Sequence, residues 1–72
     1  MTTPHVMLLE LGYTTSPSGI SSFQRDYNRF ATRPLLVTGT LDEDTNDALA
    51  FAHGARVVFI EARDHQKGFR HG

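Results

Sequence analysis

Ile20, Phe23, Tyr27 and Phe30 recur at steps of three, four and three within "SGISSFQRDYNRFA", so they fall on one stripe of an α-helix running from Ser18 to Ala31. Ser22, Arg25, Asp26 and Arg29 fall on the far side. A chain of 72 residues buries only about 60% of the surface that it exposes when unfolded, so its core must be assembled around such a stripe. With no cysteine there is neither a disulfide staple nor a thiolate metal site, and stability must come from packing, from an ion held by other ligands, or from a partner, of which packing and a partner are favoured.

The flanking segments supply the surfaces that this stripe needs. Pro4 suits a first helical turn and Gly12 a C-terminal stop, which predicts a short helix from His5 to Leu11 with Met7, Leu8 and Leu11 on one face. In "TTSPSG", Ser16 can cap the second helix and Pro17 can take its first position. Gly19 costs up to about 1 kcal/mol relative to alanine inside that helix, unless it admits another backbone. Pro34 disfavours α conformation in Arg33 and ends the helix. The apolar loop "LLVTGT" is expected to fold Leu35, Leu36 and Val37 back onto the helices, with Gly39 making a turn and Gln24 tying the second helix to it. Asp42 then caps a third helix whose acidic first turn, Glu43 and Asp44, suits the helix dipole. Its inward stripe is Thr45, Ala48, Leu49 and Ala52, and Gly54 is its stop.

The remainder, "ARVVFIEARDHQKGFRHG", reads two ways. Ala55, Val58, Phe59 and Ala62 fit a helical period, but the β-branched and aromatic run Val57 to Ile60 favours an extended arm, followed by a mobile tail. The expected fold is therefore mainly α: a small three-helix bundle over residues 1–54, with an extended C-terminal arm and mobile tail over 55–72.

Taken together, "LGY", "I..FQ" and "VTG…T..AL" resemble the peptidoglycan-binding-like domain, a three-helix module of cell-wall hydrolases and of some zinc-protease pro-regions. The matching residues are Leu11, Gly12 and Tyr13; then Ile20, Phe23 and Gln24; then Val37, Gly39, Thr45, Ala48 and Leu49. The resemblance spans roughly residues 5–53 and departs from the family pattern in its short first helix, in the contracted "TTSPS" loop and at Thr38, where an acidic residue is customary. It implies a non-catalytic module that binds peptidoglycan and anchors or targets an associated protein to the cell wall.

Other chemistries find little footing. Seven Lys and Arg against eight Asp and Glu give no electrostatic footprint for nucleic acid, and the apolar run Val6 to Leu9 is too short for a membrane span or a secretory signal. "DEDTND" alternates like an EF-hand, but Asp47 stands where glycine is needed and His53 where the bidentate glutamate belongs. His5, His53, His65 and His71 do not share adjacent turns, so no metal site and no cofactor are expected. The chain also lacks a nucleophile elbow, a cysteine nucleophile and a phosphate-binding glycine loop, and no enzyme is expected.

Two functions remain open. A wall-binding module would present a shallow groove near Tyr13, Gln24, Tyr27 and Asn28, in which aromatic rings stack on sugars and amides bond the glycan-peptide. A core-edge role for Tyr27 and a structural role for Gln24 stand beside that reading. An adaptor or structural subunit of a phage-like or secretion particle would instead dock another chain, or form an oligomer, through Val57, Val58, Phe59 and Ile60. Wall binding places the chain at the cell wall or in an extracellular particle; without an export signal the cytoplasm is the alternative.

Overall fold

The computed structural model describes residues 2–69, apart from the side chains of residues 66–69. Among the described residues four helices follow one another: α1 (Pro4–Glu10), α2 (Pro17–Asn28), α3 (Glu43–Gly54) and α4 (Arg56–Phe69). No strand occurs among the described residues.

The turn "LGY" shows how local chemistry sets the first corner. Leu11 caps α1 in right-handed geometry, and Gly12 takes a left-handed φ of 94° that a side chain would oppose. The Tyr13 N–H reaches back to the Leu8 carbonyl at 2.9 Å and the Gly12 N–H to that of Leu9 at 3.0 Å. This Schellman closure satisfies the orphan carbonyls of α1 and drives Leu8, Leu11 and Tyr13 together into the core.

Ser16 caps α2 by accepting the Gly19 N–H, and Asp42 caps α3 by accepting that of Thr45 at 2.9 Å. Gly19 is required for packing: a Cβ there would lie 2.1 Å from the Thr14 carbonyl oxygen, so the approaching backbone is that of the preceding loop. The helix ends at Asn28 rather than at Ala31, because Arg29 and Phe30 close a turn on Asp26 and Tyr27.

The core comprises Leu8, Leu11, Tyr13, Ile20, Phe23, Ala48, Leu49, Ala52 and Phe59. Phe23 is its centre, with Tyr13, Tyr27 and Phe59 ring centroids 5.7, 5.8 and 6.0 Å away. The α3 stripe points inward as its spacing demands, but the α2 stripe loses its last member from the core: Phe30 is 41% exposed and meets Phe59 edge-on, with ring centroids 5.9 Å apart.

Two expectations are corrected. The protein is a small all-α domain of four helices, not three helices with an extended C-terminal arm. An arm would leave its backbone groups without a neighbouring strand, whereas a helix satisfies them internally and turns Phe59 onto Phe23. The run from Val57 to Ile60, and the tail as far as Phe69, belong to α4; the expected mobility of residues 70–72 lies outside the described residues. The loop is the second correction, since Leu35 packs on the core while Leu36 is 80% exposed and Val37 is also exposed. Leu35 is held by the Asn28 side chain, which donates to its carbonyl and accepts its N–H.

Candidate binding surface

The four residues expected to line a ligand groove have different surroundings. Gln24 is fully buried and its amide is spent on the protein. Its oxygen accepts the Thr38 and Gly39 N–H groups, both at 3.0 Å, and its Nε2 lies 2.9 Å from Thr45 Oγ1, 3.2 Å from Thr38 Oγ1 and 3.3 Å from the Thr40 carbonyl. Nothing of the amide is left for a ligand. It joins α2, the loop and the first turn of α3, which is the tie to the Gly39 turn expected of it. Asn28 is likewise engaged, donating to the Leu35 carbonyl at 2.9 Å and accepting its N–H at 2.7 Å.

Tyr13 donates its hydroxyl to Asp26 Oδ2 at 2.7 Å in a buried contact. Burial and then this hydrogen bond push the phenol well above its ordinary range, because ionisation would place a second negative charge beside the carboxylate. The Arg63 guanidinium lies 5.3 Å from the Tyr13 ring centroid and donates to the Leu11 carbonyl at 2.7 Å and to Asp64 at 2.9 Å. Asp26 was expected on the solvent side of α2 but is buried. The signal that could have found it is the Tyr13 hydroxyl, which needs a partner once its ring enters the core.

Tyr27 is the exception. Its ring leans on Phe23, but its hydroxyl makes no hydrogen bond among the described residues. It borders a groove of ≈ 520 Å³ walled by Arg33, Pro34 and Leu35 of the loop and by Asp44, Asp47 and Phe51 of α3. Phe51 is 71% exposed, and the Arg33 side chain has no partner among the described residues. Arg33 and Phe51 went unnoticed in the sequence because neither lies on an apolar period. The groove therefore offers two aromatic rings, one unpaired guanidinium and two carboxylates.

The four residues expected to dock a partner are divided by α4. Phe59 is buried and Ile60 packs against the core, while Val57 and Val58 remain about two-thirds exposed. His53 pairs with Glu10 between α3 and α1, and His71 lies outside the described residues. Among the described residues no three His, Asp or Glu converge on a metal position, and no helix is long and apolar enough to cross a membrane. In comparisons with known proteins no family model matches the chain, and neither a curated protein nor a solved structure matches it.

Proposed function

We propose that this chain is a non-catalytic module of the peptidoglycan-binding-like type, which holds a cell-wall glycopeptide in the groove between Tyr27 and Phe51. The observation that carries the reading is the composition of that groove: aromatic faces, an unpaired arginine and carboxylates around one concavity. A sugar ring can stack on Phe51 or Tyr27, Arg33 can receive a peptide carboxylate in a forked pair, and Asp44 and Asp47 can accept hydroxyl, amide or ammonium protons. The residues that carry the family resemblance also support it, since Gln24, Gly39 and Thr45 are joined in one hydrogen-bonded knot and Leu11, Tyr13 and Phe23 in one core. Asn28 and Gln24 then hold the loop that walls the site, and Tyr27 remains to touch the ligand.

Retention on purified cell-wall sacculi tests this. The protein is retained above a helical control of equal charge, and Phe51→Ala with Arg33→Gln lowers retention about tenfold or more while the fold persists. Equal retention of the double variant and the parent would end the reading.

A second reading, a docking subunit, rests on the exposed pair Val57 and Val58. Its test is mass in solution: a self-associating or partner-bound form should be lost in Val57→Asp/Val58→Asp, and a monomer that ignores this change argues against it.

A further inference from the structure

A second cleft, of ≈ 380 Å³, opens where α2 and α4 meet the Gly12 corner, and it is bordered by Arg25, Arg29 and Arg63 together with Asp26 and Asp64. The charges do not cancel in place. Asp26 already receives the Tyr13 hydroxyl, and Asp64 already receives Arg63 Nε. The Arg63 guanidinium is further held by the Leu11 carbonyl and the Tyr13 ring. Arg25 and Arg29 are different: both are exposed, and neither side chain has a hydrogen bond or ion pair among the described residues. Arg25 is in the last turn of α2 and Arg29, its C-cap, follows four residues later in right-handed geometry, so their side chains leave the same face one turn apart. Their position at the C-terminal end of α2 favours cations through the helix dipole, but that interaction leaves their N–H donors unused.

We propose that this cleft binds a phosphate monoester, gripped between Arg25 and Arg29 with Arg63 as the fixed third wall. Geometry chooses this ligand class. Asp64 is matched by Arg63, and the buried Asp26 charge, which a phenol hydrogen bond does not cancel, offsets one of the two remaining guanidinium groups, so the cleft keeps a net positive charge that attracts an anion. A tetrahedral phosphate offers enough oxygens to receive forked donors from two arginines at once. The Ser22 side chain, on the same face of α2, adds a hydroxyl at the cleft wall. The site is on a different flank of α2 from the Tyr27 groove, and it stands or falls independently of wall binding.

Amide and arginine side-chain NMR titrations of the full chain at pH 7.5, with sodium chloride holding ionic strength constant, provide the test. Inorganic phosphate and glycerol 3-phosphate should give saturable shifts centred on Gly12, Ser22, Arg25 and Arg29, and should bind about tenfold more tightly than acetate. Arg25→Gln/Arg29→Gln should weaken phosphate about tenfold or more while its dispersed amide spectrum reports an intact fold. Shifts that never saturate, acetate binding as tightly as phosphate, or an unchanged affinity in the double variant would each overturn the assignment.

Discussion

Two polar centres hold this small domain together, and they do so by opposite means. On one side of α2, the neutral Gln24 amide is completely buried and spends its bonds on backbone and threonine groups of the loop and α3. On the other, Tyr13, Asp26 and Arg63 form a charged, partly open corner where α1, α2 and α4 meet. A neutral amide can be enclosed without desolvating a charge, so it can be saturated and sealed. A carboxylate and a guanidinium keep part of their solvation and remain responsive to salt.

The largest expected effect breaks the neutral side. Gln24→Met leaves the buried Gly39 N–H, the Thr38 N–H and the Thr45 hydroxyl without this partner, and should cost at least about 3 kcal/mol at one or more per unsatisfied group. Urea denaturation would show a domain close to unfolding, given total stabilities of about 5–15 kcal/mol. A loss below about 1 kcal/mol would show that the loop is fixed by something else.

Next comes the charged corner. Tyr13→Phe removes the donor to a buried carboxylate and should cost about 1–3 kcal/mol. The same variant sharpens the comparison through pH. The folded-state phenol is raised above its ordinary value of 10.0, so the stability it confers is complete below that pH and declines as pH climbs beyond it towards the folded value. Thermal melts of the parent should fall on the alkaline side of pH 10, and Tyr13→Phe should show a shallower decline.

Arg63→Gln should have a smaller effect, about 1 kcal/mol, because the Leu11 carbonyl that loses its partner is only partly buried. Raising sodium chloride to about 1 M, where the Debye length is near 3 Å, should narrow the difference between parent and variant but leave the cost of Gln24→Met unchanged. The smallest effect concerns Asp42 at the rim of the neutral knot. Hydrogen bonds from Thr45 hold its carboxyl below the ordinary range, so it helps the fold above that range and its contribution disappears as pH falls through the lowered value. Asp42→Asn should flatten this slight acid limb in a pH series of melts.

The same contrast explains how much could be read from the sequence. The neutral side was legible because its parts are local: Ser16 and Asp42 announce helix starts, Gly39 announces a turn, and a glutamine beside an inward stripe must bond something near it. The charged corner depends on α4, whose β-branched first turn resembles a strand until Phe59 has the Phe23 ring to pack on. Without α4 in place, Asp26 reads as a solvated face and Arg63 as part of a mobile tail. The groove was legible only in Tyr27. Its other walls, Arg33 and Phe51, are set by the path of the loop, which Asn28 decides through its grip on Leu35.

The clasp between Arg63 and the Leu11 carbonyl bears on the order in which the chain assembles. It joins residues 52 positions apart, so closing it early would sacrifice the freedom of nearly all the intervening chain. Nucleation should accordingly fall to α2, the loop and α3, and α4 should dock late and open first. Amide exchange would then release the Phe59 N–H well before that of Thr45.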